Sequence, residues 1–325
     1  MIRLVGVEMR RLVWRRAVVI LVAAALVIPV VIGVARVLNT APPSADDVAN
    51  AKAAIEEQKS EQWFVDEVEN CVKHPGRWGI RNVDDVQAAC EQQMTPMLQD
   101  YLYYDKLRLV EEREAGTGIA IVVILSILML LAGATFAGHD WASGSVSNQL
   151  LFEPRRLRVW AAKGLVITAA ALAISAVVMT GYWLALYAAA MRRDLEVRDG
   201  VLLDCLQMGW RGAAVAAFAA LGGYALTMLF RSTVAALGVM LALGLAGGLI
   251  LAAVGIDSVW NPGLNLAAVV MDGASYWVDV PCPGGGGFCG EERTLSATRG
   301  ATFLGVLTAL GVGASLVSFL RRDVP

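Results

Sequence analysis

Long apolar runs, separated by short basic stretches and two longer polar insertions, set the pattern of this chain. A spanning helix needs about 20 largely apolar residues. Six segments qualify, roughly Ala17–Leu38, Thr117–Gly138, Leu165–Ala190, Ala213–Phe230, Thr233–Gly255 and Ala301–Leu320. The fourth and fifth are divided by little more than Arg231-Ser232, which predicts a tight helical hairpin. One continuous helix through that arginine would overshoot a hydrocarbon core of about 30 Å. Before the first run, Ile2–Arg16 puts Leu4, Val5, Met9, Leu12 and Val13 on one side and arginines on the other, the pattern of an interfacial helix. The first run exceeds the apolar stretch of a secretory leader, so it reads as a retained span.

The expected fold is all-α: a polytopic membrane protein with six transmembrane helices, an N-terminal amphipathic helix and a helical extracellular insertion between spans 1 and 2. Residues 1–38 carry the amphipathic helix and span 1, 39–116 the insertion, 117–320 spans 2–6, and 321–325 a tail. Within 117–320 lie an inner segment at 139–163 and an outer loop at 256–299. In the insertion, Ser44-Ala-Asp-Asp47 predicts an N-cap with acids in the first turn, opening a helix toward Cys71. His74-Pro75-Gly76 breaks it, and Asn82-Val-Asp-Asp85 starts a second helix through Cys90. This region reads either as a structural cap or as a domain that receives substrate or a partner. In the outer loop, Trp260, Tyr276 and Trp277 read as interfacial anchors.

Composition agrees: 57% of residues are hydrophobic and mean hydropathy is +0.58, too apolar for an ordinary water-soluble domain. Arginine outnumbers lysine and Ala, Val, Leu and Gly dominate, as in a GC-rich bacterial gene. The net charge of −2 says little, but its distribution gives orientation. With the N-terminus inside, the cytoplasmic face carries Arg3, Arg10, Arg11, Arg15, Arg16, Arg155, Arg156, Arg158, Lys163, Arg231, Arg321 and Arg322. Only Glu8, Asp140, Glu153 and Asp323 oppose them there. Both termini are then cytoplasmic, in a bacterial plasma membrane. Cys71, Cys90, Cys205, Cys282 and Cys289 all fall in segments placed outside, where disulfides persist. Pairing Cys71 with Cys90 and Cys282 with Cys289 leaves Cys205 over, although sequence does not fix connectivity.

The chain lacks the residues that several function classes require. No G-x-x-x-x-G-K-[ST] phosphate loop occurs, so nucleotide hydrolysis would belong to a partner. No expected span carries a carboxylate, which disfavours an ion-coupled carrier. His139 and Asp140 are adjacent on a helix and do not face one another, so a hydrolase built on them with Ser143 or Ser145 is unsupported. No cofactor, metal site or nucleic-acid partner is expected.

The stretch Gly138–Lys163 is polar and basic, is punctuated by Gly, Ser and Pro, and lies between two spans. Ser143 or Ser145 caps a short helix with Val146, Leu150 and Leu151 on one face, and Pro154 ends it. Asp140, then Gly144-Ser145, Leu150-Leu151, Pro154-Arg155-Arg156 and Lys163 at the head of span 3 resemble the inner-loop signature of type-2 ABC transporter permeases. The family pattern runs acid, Gly-Thr, paired Leu, Pro-x-x-Arg, then Lys. Here Asp140 replaces the usual Glu, Ser145 replaces Thr, and Arg156 comes one position early. The resemblance also covers the span number, the cytoplasmic termini, the basic N-terminal helix and the tight turn between spans 4 and 5.

That resemblance implies the permease subunit of an ATP-driven exporter. Separate cytosolic ABC ATPases, binding ATP and Mg, would dock on the coupling helix formed by these residues. A second permease copy or paralogue and membrane lipid would be the other partners. Gly244 and Gly248 form a GxxxG pattern for close helix packing, within one subunit or between two permeases. Gly222-Gly223 in the fourth span can serve the same way. The alternative is a non-transporting membrane scaffold or sensor with an external binding domain.

Overall fold

A computed structural model describes residues 2–81, 83–102, 105–253, 258–282 and 287–322; of residues 2, 243, 245–253 and 258 only the backbone course is described. Asn82, Tyr103 and Tyr104, and the glycine run at 283–286 lie outside these residues; the rest of the expected helix start is described, with Asp85 as the N-cap of the helix through Cys90. The chain divides into two compact units, Ala35–Leu107 and the remainder, Met1–Val34 with Arg108–Pro325.

In the larger unit, α1 (Ile2–Trp14) leads into α2 (Arg16–Asn39), which continues into the other unit. After the second unit the chain runs through α7 (Leu109–Glu114), α8 (Thr117–Ala142), α9 (Ser145–Phe152), α10 (Arg156–Arg192), α11 (Val201–Phe230) and α12 (Thr233–Ala253). Next come α13 (Pro262–Met271), the strands β1 (Ala274–Pro281) and β2 (Phe288–Leu295), and α14 (Ala297–Arg321). Five helical stretches are long and apolar enough to cross a membrane: Arg16–Asn39, Leu109–Ala142, Arg156–Arg192, Val201–Phe230 and Ala297–Arg321. The sixth expected span coincides with α12, whose described apolar part is Thr233–Ala242.

The core lies where α8, α10 and α11 meet, filled by Trp183, Tyr224, Phe136, Met129 and Met179. Small residues bring α8 and α11 together. A Cβ on Gly133 would collide with the Ala220 carbonyl, and one on Gly223 with the Leu130 carbonyl. Backbones this close allow only glycine, and the gain is direct packing where lipid supplies no hydrophobic drive. Gly223 therefore has the packing role that the sequence suggested. Gly244 meets nothing within 4 Å, and Gly248 falls among residues whose side chains lie outside the described set.

At the start of α8, the buried Glu112 carboxylate accepts from the Thr117 amide at 3.1 Å and from its hydroxyl. It thus satisfies a free donor of the first helical turn. Helix α11 begins at Val201, twelve positions before the expected Ala213. Cys205 is therefore a buried free thiol in the second turn of a helix long and apolar enough to cross a membrane. The outer loop differs from the all-α expectation as well. It folds as α13 and an antiparallel hairpin pairing Ala274 with Leu295 through to Pro281 with Phe288. Tyr276, Val278 and Val280 alternate in burial with Trp277 and Asp279, and β-branched and aromatic residues at period two form strands. The Cys282–Cys289 disulfide closes the tip.

The Ala35–Leu107 unit is built from α3 (Ala45–Ser60), α4 (Gln62–Lys73), α5 (Val86–Met94) and α6 (Leu98–Tyr101). It ends short of the expected residue 116 because α7 belongs to the larger unit. Ser44 caps α3 as expected: its hydroxyl accepts from the Asp47 amide at 3.1 Å while Asp47 accepts from the Ser44 amide at 2.9 Å. The helix toward Cys71 ends at His74 as expected, and it is broken once more before that, at Glu61. On one unbroken helix Phe64 would stand about 180° around from Ile55; the break lets both be buried. Phe64, Val68, Cys71 and Cys90 form the core of the unit, with Cys71 and Cys90 disulfide-bonded.

Candidate functional site

The segment that joins α8 to α10 sits on a cluster of buried charges. Asp140 ends α8 and Lys163 lies seven positions into α10, each with 1% of its side chain exposed. The Lys163 ammonium donates to Asp140 at 2.6 Å and to Glu8 of α1 at 2.8 Å. Arg15, in the joint between α1 and α2, pairs with the other Asp140 oxygen and donates to the Phe136 carbonyl. The Phe136 ring lies under both cations, 4.7 Å from the Arg15 guanidinium and 5.5 Å from Lys163. Two carboxylates and two cations make the group neutral. Burying any one of them alone would cost several kcal/mol.

Glu8 belongs to the buried stripe of α1. It lies midway between Leu4 and Leu12 at i, i+4 spacing, and it is 0% exposed. Met9 and Val13, expected on the same side as Leu12, are instead 39% and 62% exposed. A carboxylate held at the core-facing spacing of an arginine-rich helix was the available signal, and apolar periodicity alone passed over it.

Helix α9 rests on this cluster. Gln149 donates to Glu8 at 2.6 Å, and Arg11 donates to Gln149 at 3.4 Å. Neither Ser143 nor Ser145 caps the helix: Gly144 is its N-cap, in the left-handed region at φ 67°. Ser143 still belongs to the last turn of α8 and donates its hydroxyl to the His139 carbonyl at 2.7 Å. Gly144 reverses the chain at once, a conformation glycine adopts without strain.

The expected apolar face also divides. Val146 is buried, Leu150 is partly buried, and Leu151 and Phe152 are 80% and 91% exposed. Residues five apart on a helix lie about 140° from one another, so Val146 and Leu151 cannot share a face. The residue that lies beside Val146 is Gln149.

The remaining residues of the motif tie this end of the bundle together. Pro154 is exposed, two residues past the end of α9. Arg156 opens α10 and donates to the carbonyls of Phe319, Leu320 and Arg322, at 3.3, 3.3 and 2.7 Å. It thereby satisfies acceptors that the end of α14 leaves free. Arg231, between α11 and α12, lies 4.8 Å from the Trp141 ring centre. The N-terminal helix, the 139–163 segment, the α11–α12 turn and the end of α14 therefore share one end of the bundle.

Among the described residues, no group of three or more His, Cys, Asp or Glu could hold a metal ion. In comparisons with known proteins, no family model matches the chain, and no curated protein and no solved structure matches it either.

Proposed function

We propose that this chain is the permease subunit of an ATP-driven ABC exporter. It would pair with a second copy or a paralogue and be driven by separate cytosolic ATPases that bind ATP and Mg. The observation that carries the reading is α9, a helix of 8 residues whose polar base is hydrogen-bonded through Gln149 to the buried ion cluster and whose tip, Leu151-Phe152, is apolar and exposed. An apolar tip at the polar end of a membrane bundle calls for a partner. The base suits transmission, because force on α9 passes through Gln149 to Glu8 and through Lys163 and Asp140 to α10 and α8. Through Arg156 the same displacement reaches α14.

The positive-inside bias of that end supports a cytoplasmic location for it and for both termini, in a bacterial plasma membrane. The Ala35–Leu107 unit and the disulfide-closed hairpin would then be extracytoplasmic, where disulfides survive.

The test is co-expression with the Walker-motif ATPase encoded nearest to the gene, followed by purification and reconstitution. Parent complexes should hydrolyse ATP, and Leu151→Asp with Phe152→Asp should insert normally yet lose the ATPase subunit. Retention of the subunit by that variant would remove α9 as the docking element. No association in the parent would favour the membrane scaffold or sensor.

A further inference from the structure

Beside the ion cluster, the elbow between α1 and α2 encloses a cavity of about 520 Å³, within the size range of small-ligand sites. Arg11, Arg15, Arg16, His139, Ser143 and Ser145 line it. Asp140 also borders it, but its two oxygens are engaged by Arg15 and Lys163, so it adds no free negative charge. Arg16 is exposed and has no hydrogen bond or ion pair among the described residues. Arg11 commits only one terminal nitrogen, shared between Gln149 and Glu8. Unused guanidinium donors thus converge with two serines on a space that holds no unpaired carboxylate.

Part of the lining is apolar. Trp14, Ala17, Val18 and Thr135 complete the lining, and Trp14 is 84% exposed, as tryptophans at a membrane interface are. From there α2 presents Ile20, Val27 and Val31 outward along its length, each more than half exposed. A charged floor leading directly onto an exposed apolar helix face is complementary to an amphiphile with an anionic head. It offers a soluble anion no reason for the second half of the site.

We infer that this elbow binds an anionic phospholipid, with the phosphodiester among Arg11, Arg16 and the serines and the acyl chains along α2. Basic pockets at the ends of membrane helices bind such headgroups. The inference depends only on this end lying at a membrane surface, and it holds whether or not the chain is a transporter. Occupancy would brace α1 against α2 at the joint occupied by Arg15.

The experiment is native mass spectrometry of the full chain in neutral detergent. It is titrated with phosphatidylglycerol, with phosphatidylcholine of the same acyl chains, or with inorganic phosphate. Phosphatidylglycerol should bind more tightly than phosphatidylcholine. Arg16→Gln should weaken it about fivefold, and adding Arg11→Gln by about fivefold again. Arg3→Gln and Arg10→Gln, on the same helix but outside the cavity, should leave binding unchanged.

Arg16 makes no side-chain hydrogen bond or ion pair among the described residues, so its substitution gives a readout independent of folding, checked by unaltered helix content. Equal binding of the two lipids, or equal loss from Arg3→Gln, would overturn the site. So would displacement of the lipid by inorganic phosphate, which would mean a soluble anion is the occupant.

Discussion

Lys163 donates to Glu8 at 2.8 Å across 155 positions of sequence, with both side chains removed from solvent. That bond joins the N-terminal helix to the head of α10, and Asp140 on the same ammonium brings in the end of α8. The three elements are held by charge at the place where the inner segment departs.

Removing Lys163 should therefore release α1. Lys163→Met leaves Asp140 with Arg15 and Glu8 with only the part-exposed Arg11 at 3.6 Å, and breaking a buried pair costs about 3–5 kcal/mol. The expected result is a lower melting temperature in detergent and faster proteolysis at Arg10 and Arg11. Glu8→Gln combined with Lys163→Met should be less damaging than the sum of the single changes. Additive losses in that double-mutant cycle would show the two groups uncoupled.

Gly223 and Gly244 should respond in opposite ways to the same change. A Cβ on Gly223 would overlap the Leu130 carbonyl of α8, whereas one on Gly244 has no neighbour within 4 Å. Gly223→Ala should cost about 1–3 kcal/mol through forced separation of α8 and α11. Gly244→Ala should leave the stability of the single chain unchanged. A shift of oligomeric state by Gly244→Ala, read by light scattering, would assign that glycine to contact between copies. Equal melting temperatures for both variants would contradict the close approach at Gly223.

Helix α3 should fray in acid. Hydrogen bonds from the Ser44 hydroxyl and amide hold the Asp47 carboxyl below its ordinary pKa. A depressed folded-state value means that the cap stabilises above the ordinary pKa, near pH 4, and is lost as pH falls through the lower one. Hydrogen exchange over Ser44–Val48, corrected for intrinsic rates, should be slow at neutral pH and rise in acid. Ser44→Ala should exchange fast at neutral pH already. Matching neutral-pH rates for parent and variant would mean that the capping box does not control this helix end.

The local features were legible in the sequence. Apolar run length located the five helices that are long and apolar enough to cross a membrane, Ser44 and Asp47 marked the start of α3, and Arg231-Ser232 marked the break between α11 and α12. The cap and the break depend on residues within about one helical turn of each other, where propensity and capping act. The cysteine partners were also foreseen, because each pair lies in one short segment. The hairpin is legible as well: the alternation of Tyr276-Trp277-Val278-Asp279-Val280 has strand period, although its aromatics fit an interfacial role equally.

Tertiary structure decided what touches what. In a helix apolar on every side, the faces toward lipid and toward protein have the same composition, so periodicity could not single out Gly133 and Gly223 as the contact. Spacing aligns Glu8 with Leu4 and Leu12 but cannot supply its partners, since Lys163 and Gln149 come from helices far along the chain. A carboxylate can be buried there only because folding brings a cation and an amide to it, and that pairing exists only in three dimensions.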